Sequence, residues 1–343
     1  MERKVGRRRF LTISAAAAGL AVVPIGAPRT AAAGSLVEWR GISLGSVATI
    51  RIHHPDRAAA ADLINQVVAE SQRLEQIFSL YREDSTLCEL NRSGVLAAPP
   101  AELSDLLASC DHFWRLTGGA FDPSVQPLWR CHADHFAVVR DASQGPSSAK
   151  IRDALDLVGW GNVRFDRDKV VFARRGMGLT LNGIAQGYIT DRVVERLRAS
   201  GIQNCLVDMG EIRALGARPD GQPWRIAIEG SQAEVSGFEI PATNRSVATS
   251  GAHGFQFDER GHYNHLFNPV TGTCAEPLRN VSVVADMATT ADALSTAFAL
   301  MKDEAISSTL VSTDDVKVLV SGAGDTRELT ALTAHLGVRS KVD

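Results

Sequence analysis

Two kinds of hydrophobic periodicity interleave along this chain without a regular strand–helix–strand alternation, and that irregular order constrains the fold most. Apolar residues recur at helical spacing from Asp56 to Phe78 (Leu63, Val67, Leu74, Phe78) and from Glu102 to Thr117 (Leu103, Leu106, Cys110, Trp114). Ile184 to Ala199 reads as a helix with Gly201 just past its end. Met287 to Met301 reads as a strongly apolar helix, with Thr289 or Thr290 placed to cap its start. Between these lie strand-like runs at Val47–Ile52, Gln203–Val207 and Trp224–Glu229, a hairpin over Val163–Phe172 turning near Arg167, and a β-branched run at Val316–Val320 suited to a buried strand. Leu329, Leu332 and Leu336 predict a closing helix. A parallel doubly wound sheet would alternate its elements strictly. This order predicts the α+β class, with mixed sheets and packed helices in a single compact domain.

Composition excludes other classes. With 343 residues, 45% of them hydrophobic and 22% charged, the chain has ample material for a core, and a disordered or fibrous chain is ruled out. A formal net charge of -3 argues against a nucleic-acid binder. Cys88, Cys110, Cys131, Cys205 and Cys274 form no C-x-x-C pair, which argues against a disulfide scaffold or a cysteine-based zinc ribbon. Cys131-His132-Ala133-Asp134-His135 crowds four possible ligands into five residues, a spacing that matches no standard zinc pattern.

Residues 1–33 read as an export signal, leaving 34–343 as the mature domain. Arg3, Lys4, Arg7, Arg8 and Arg9 form a basic start, Leu11 to Ile25 is uncharged and apolar, and Ala31-Ala32-Ala33 offers a cleavage site. The apolar stretch is too short to span a bilayer comfortably. Arg7-Arg8-Arg9-Phe10-Leu11 is similar to the twin-arginine consensus, an address for folded proteins. Cleavage would remove six basic residues and one acidic residue, moving the net charge from -3 to -8. With no cysteine near the cleavage site a lipid anchor is not expected, and the predicted location is periplasmic. An odd number of cysteines in an oxidising compartment leaves at least one thiol unpaired, or all five buried and reduced.

Four segments carry more glycine and polar character than a core needs. Leu181-Asn182-Gly183-Ile184-Ala185-Gln186-Gly187-Tyr188 joins a strand to a helix; its glycines allow close approach to the backbone, and the helix start offers free N–H groups to a phosphate. Gly118-Gly119-Ala120-Phe121-Asp122-Pro123 reads as a helix stop followed by extended chain. His262 to Gly272 contains an N-P-x-T-G turn with His265 just before it, a candidate general base or phosphate partner. In Asp286 to Ala297, Asp292 and Thr296 are four apart on one helix face, and a carboxylate and hydroxyl so spaced suit a hard cation such as Mg²⁺.

Taken in order, the segments resemble the ApbE family of FAD:protein FMN transferases. Asn182–Tyr188 is similar to that family's G-G-I-A-K-G-Y turn, Gly119–Pro123 to G-A-F-D-P, Asn264–Gly272 to S-H-x-x-D/N-P-x-T-G, and Thr290–Thr296 to T-A-D-A-L-x-T. Gly41–Ser46, Tyr81–Asn91, and Leu206–Gly216 followed by Pro223–Ile226 agree as well, so the resemblance spans about residues 36–336. It implies an ApbE-like (T-fold-like) domain that binds FAD and Mg²⁺, breaks the pyrophosphate, and attaches FMN to a Thr or Ser hydroxyl of a target redox protein with release of AMP. The target would carry a D-G-x-[ST]-G-[AS]-T-like site and lie at or in the membrane, with the enzyme itself a monomer or homodimer.

Carried over residue by residue, the resemblance makes Asp292 and Thr296 side-chain metal ligands, joined by the carbonyls of Ala185 and Ser295. It places Leu44, Tyr81, Ala120, Phe121, Asp122, Asn182, Tyr188 and His265 around the flavin, with His265 and Asp292 catalytic. The chain departs from the pattern at Gln186 (usually Lys), Asn182 (usually Gly), Thr180 (often Asp), Leu44 (often Met) and Met209-Gly210-Glu211, which has one glycine fewer than the common G-G-D/E. These departures motivate two alternative expectations: a periplasmic FAD-binding or flavin-donor protein with little transfer, and a pyrophosphatase splitting FAD to FMN and AMP. Ala248-Thr249-Ser250-Gly251-Ala252 faintly resembles an acceptor site, but the family has a similar A-T-S-G strand.

Overall fold

The computed structural model describes residues 35–139, 144–228, 238–322 and 326–331. The proposed leader lies outside them, as do Glu229, Leu332 and Leu336. A hairpin, β1 (Ser35–Ser43) and β2 (Ser46–His54), leads into α1 (Arg57–Phe78), whose N-cap Asp56 accepts the amides of Ala58 and Ala59. Then follow α2 (Thr86–Ser93), β3 (Val95–Ala97), α3 (Ala101–Leu116), a 3₁₀ turn at Pro123–Val125, α4 (Gln126–Val138), α5 (Ser148–Leu155), β4 (Val163–Phe165), β5 (Lys169–Phe172) and α6 (Ala185–Ala199). The rest comprises β6 (Cys205–Asp208), β7 (Ile212–Leu215), β8 (Trp224–Ile228), β9 (Phe238–Ala242), β10 (Ser246–Gly251), β11 (Asn280–Ala285), α7 (Ala288–Phe298), α8 (Asp303–Leu310), β12 (Lys317–Ser321) and β13 (Thr326–Leu329).

Eight of these strands form one antiparallel sheet in the order β1-β2-β6-β7-β10-β11-β12-β13; β3-β5-β4 and β8-β9 form two smaller ones. The α+β expectation holds. Strand parity shows how the large sheet is sandwiched. Val281, Val283 and Ala285 of β11 join the main core beneath α1, α6 and α7, while Val284 joins a second cluster with Trp224, Ile226 and Ile240 of the β8–β9 hairpin. Covered on both faces, β11 is buried at all six positions. Ala248 of β10 faces the helices and Val247 the hairpin, so Ser250, in phase with Ala248, points toward α7.

Two expectations are corrected. Leu329 ends the edge strand β13, paired with Val318, because the chain after β12 folds back onto the sheet. Neither Thr289 nor Thr290 caps α7. Its first amides are taken by Asp191 of α6, which accepts Ala288 N–H and Thr289 N–H at 2.8 Å each, along with the Thr289 hydroxyl. A carboxylate from a neighbouring helix gives two strong acceptor oxygens where a hydroxyl offers one. The glycines after α3 do stop it: Gly119 N–H reaches back to the Trp114 carbonyl, with Gly118 and Gly119 both at positive φ.

All five cysteines are unpaired, and only Cys110 and Cys205 are buried. Among the described residues no helix is long and apolar enough to cross a membrane.

Candidate active site

The loop before α6 and the start of α7 meet where the sequence placed its candidate cation ligands. The Gly187 amide donates to Asp292 Oδ2 at 2.9 Å. A β-carbon on Gly187 would lie 2.3 Å from the Ala288 carbonyl oxygen, and one on Gly183 would lie 2.7 Å from Thr296 Oγ1. Both glycines are thus demanded by close helix–loop packing. Asp292 and Thr296 share the face of α7 turned to that loop, and Ala185 and Ser295, the proposed carbonyl ligands, are buried in the same contact.

Charge is concentrated here. Gly187 is the sole hydrogen-bond donor to the Asp292 carboxylate among the described residues. Burial pushes Asp292 well above the ordinary carboxylate range, the Gly187 amide opposes this, and the charge of Asp191 adds to it. Glu211, just past β6, is also held well above that range, by burial first and then by Asp292 and Asp208. Arg213 is committed elsewhere, to Asp191 at 2.7 Å in an ion pair exposed by only 14% and 3%. Asp292, a buried carboxylate with no cationic partner among the described residues, and the Thr296 hydroxyl on the same helix face form hard oxygen donors of the type that hold Mg²⁺. The residues present fit a divalent cation.

The candidate flavin residues divide into two groups. Tyr81 is 44% exposed, and its hydroxyl accepts from Asn182 Nδ2 at 3.3 Å, which joins two candidates on an open surface. Tyr188 is half-buried, with Phe78 edge-on at 5.6 Å. Leu44 occupies the two-residue turn between β1 and β2 with φ 46°, and its amide donates to Glu75 Oε1 at 2.8 Å. Phe121 and Asp122 are buried instead, beside half-buried Ala120. Phe121 packs on Phe113, and Asp122 accepts Ser124 N–H, the Ser124 hydroxyl and Trp160 N–H. Thr180 N–H bonds the Pro123 carbonyl and so joins that segment to the 181–188 loop.

His265 sits on a loop fixed by side-chain hydrogen bonds. Asn264 donates to the Ala275 carbonyl and accepts Leu266 N–H, while Asn268 accepts Val270 and Thr271 N–H in an Asx turn. Nδ1 of His265 lies 3.2 Å from the Phe255 carbonyl oxygen. A carbonyl only accepts, so Nδ1 carries the proton and Nε2 keeps its lone pair. Burial lowers the histidine's pKa from the ordinary value, with the Phe255 carbonyl opposing, and keeps the ring neutral. The ring packs over Gly254, three residues past the end of β10.

The departures from the family pattern are absorbed locally. Gln186 donates to Ser46 Oγ at 2.5 Å and covers Gly210; Thr180 Oγ1 accepts Asn182 N–H. The Cys131–His135 cluster disperses: Cys131 Sγ contacts the Lys150 carbonyl, His132 Nδ1 the Leu128 carbonyl, and His135 Nε2 the Gln144 carbonyl. The His132 ring lies among Phe257, Tyr263 and Phe267, at 4.7 Å from the last. Sequence reasoning missed Asp191, Arg213, Ser46 and Glu75 as supporting residues, since their partners lie on other elements. For Ser250 a signal existed, because its parity with Ala248 gives its direction once β10 is recognised as a strand.

Comparison with known proteins finds relatives along most of the chain. The ApbE family model matches residues 44–320. An FAD:protein FMN transferase of Haemophilus influenzae is 31% identical over 247 residues, 66% of this chain and 69% of the relative. One of Treponema pallidum is 29% identical, over 74% of this chain and 75% of the relative. The crystal structure of the apo flavinyl transferase ApbE of Pseudomonas stutzeri superposes with a TM-score of 0.72 at 27% identity, covering 89% of this chain and 97% of that one. The ApbE protein of Thermotoga maritima superposes with a TM-score of 0.74 at 26% identity, covering 87% and 97%.

Proposed function

The chain belongs to the ApbE family, and from that premise we propose how its residues carry the reaction. It is an FAD:protein FMN transferase: FAD is the donor substrate and a protein the acceptor. The reading in residue detail is Mg²⁺-dependent transfer to a Thr or Ser hydroxyl with AMP as the leaving group. One observation carries it: Asp292 and Thr296 present a carboxylate and a hydroxyl from one face of α7 directly onto Gly187 and Gly183 of the 181–188 loop.

In this reading Asp292 and Thr296, with the carbonyls of Ala185 and Ser295, hold the cation, which when bound neutralises pyrophosphate charge. Tyr81, Asn182, Tyr188 and Leu44 line the flavin side, with the backbone of Ala120–Asp122 as a wall. The acceptor hydroxyl forms the new oxygen–phosphorus bond, the bond to the AMP oxygen breaks with its electron pair leaving on AMP, and Nε2 of His265 takes the hydroxyl proton. A hydroxyl is a weak nucleophile near neutral pH, so a neutral histidine with its lone pair free is the appropriate base. The location is proposed to be periplasmic after twin-arginine export, on the strength of Arg7-Arg8-Arg9-Phe10-Leu11, and the acceptor to be a redox protein at the membrane.

The flavin-binding and pyrophosphatase alternatives rest on Gln186, Asn182 and Thr180. Since each is absorbed in a local hydrogen bond and the Asp292–Thr296 face is intact, transfer is the better-supported reading. Mature protein mixed with FAD, Mg²⁺ and an acceptor bearing D-G-x-T-G-A-T tests it. The expected result is acceptor-dependent AMP with an FMN mass shift on the acceptor, both lost in Asp292→Ala. AMP without acceptor would point to the pyrophosphatase, and bound FAD with no AMP to the binding protein.

A further inference from the structure

We propose that Ser250 is a positioning residue that aims the lone pairs of Thr296 at the cation. The inference rests on the reading of Asp292 and Thr296 as cation ligands. Ser250 belongs to the A-T-S-G segment that the flavin and cation assignments leave unused. It stands on β10 in phase with Ala248, on the sheet face covered by α7.

Three contacts run in a line. Ser295 Oγ lies 3.0 Å from the Asp292 carbonyl oxygen, Ser250 Oγ lies 2.8 Å from Ser295 Oγ, and Thr296 Oγ1 lies 3.4 Å from Ser250 Oγ. Three hydroxyls bring three protons, and the line ends on a carbonyl that can only accept. One arrangement alone satisfies all three contacts. Ser295 donates to the Asp292 carbonyl, so Ser250 must donate to Ser295, and Thr296 must then donate to Ser250. Thr296 has a single proton, and in this arrangement it points at β10.

The consequence is directional. Thr296 Oγ1 is hemmed by Gly183 on the loop side and by Ser250 on the strand side. With its proton sent to Ser250, its lone pairs are left for the loop side, where Asp292 also faces. A hydroxyl ligand is useful to a divalent cation only through its lone pairs; a proton turned the same way repels the charge. The segment that looks like an acceptor site therefore acts as the proton acceptor for a ligand hydroxyl.

Three variants decide the matter: Ser250→Ala, Ser250→Thr and Asp292→Ala. The readouts are Mg²⁺ affinity by calorimetry on the full chain, the Mg²⁺ dependence of AMP release, and the KM for FAD. Ser250→Ala is expected to weaken Mg²⁺ binding by about fivefold to tenfold, the worth of one hydrogen bond. Activity should be restored by raising Mg²⁺, with the KM for FAD unchanged at saturating metal. Ser250→Thr keeps the hydroxyl and should restore affinity, which a merely structural loss would not explain. Unaltered Mg²⁺ affinity in Ser250→Ala, with loss of binding in Asp292→Ala, overturns the Ser250 proposal and leaves the cation site standing. No Mg²⁺ binding by the wild-type chain overturns both.

Discussion

The Gly187 amide holds Asp292 Oδ2 at 2.9 Å, a hydrogen bond between residues 105 positions apart that fastens the first turn of α6 to α7. The contact is possible because Gly187 has no side chain: a β-carbon there would strike the Ala288 carbonyl oxygen and carbon and Thr289 Cα. All three are backbone atoms, so none can swing aside.

Gly187→Ala is therefore expected to cost about 1–3 kcal/mol by overpacking and to pull the amide from Asp292. Denaturant unfolding should show a lowered midpoint with an unchanged slope, and Mg²⁺ binding should weaken together with it. A variant as stable as wild type would show that α6 and α7 can part freely.

Asp191 supports the same helix from beneath. It takes two α7 amides and the Thr289 hydroxyl, and pairs with Arg213. Asp191→Ala leaves Arg213 without its partner and α7 without a cap, for an expected loss of about 3–5 kcal/mol. Arg213→Met with Asp191→Leu should recover part of that loss, because a buried ion pair replaced whole costs less than one that is broken. Chemical denaturation of the single and double variants measures the difference.

The pH dependence at His265 has a definite sign. Burial lowers its pKa below the ordinary 6.5, so the neutral form that accepts a proton persists at pH 6.5 and above. With Mg²⁺ saturating, so that the raised Asp292 carboxyl is held ionised, transfer should stay flat down through that pH and fall only as the histidine's folded-state pKa is crossed, and His265→Ala should abolish that acid limb. The linked stability runs the same way. The unfolded chain binds the proton first, so this contribution is fully present above 6.5 and is lost as pH falls toward the folded value. A rate that halves near pH 7 in wild type and is unmoved in the variant would assign the limb to another group.

Leu44 occupies a left-handed position that the turn demands, since Leu44 and Gly45 both have positive φ. Such turns favour Asn-Gly, and a leucine there is strained by about 1–2 kcal/mol. Leu44→Asn is expected to raise the stability of the flavin-free protein by about 1 kcal/mol, and, on the proposed reading of Leu44 as a flavin-lining residue, to weaken FAD binding. The rise in Tm produced by FAD should be smaller in the variant than in wild type; a lower flavin-free Tm would show that Leu44 is held by packing and carries no strain.

The main helices were legible because their signals are local. The 3.6 periodicity of Asp56–Phe78 and Ile184–Ala199, and the glycines closing α3, are matched closely by α1, α6 and the stop at Gly118–Gly119. The candidate cation pair was legible as well, since Asp292 and Thr296 are four apart on one helix. What stayed hidden depends on distance in sequence. The cap of α7 comes from Asp191, 97 residues from Ala288, whereas local spacing points to Thr289 or Thr290. The closing leucines offered helical spacing, yet Leu329 pairs in a strand because β12 presents an open sheet edge. Phe121 and Asp122 carry a motif, but the motif records a turn: Asp122 is consumed by Ser124 and Trp160.

The separation of Gly187 from Asp292 also fixes when the protein can do anything during its synthesis. Everything up to β11 can leave the ribosome and still possess only half of the candidate cation site, since Asp292 and Thr296 lie on α7, which begins at Ala288. A nascent or C-terminally truncated chain cannot assemble it. On the proposed reading, Mg²⁺ binding would therefore report that translation and folding have both passed α7.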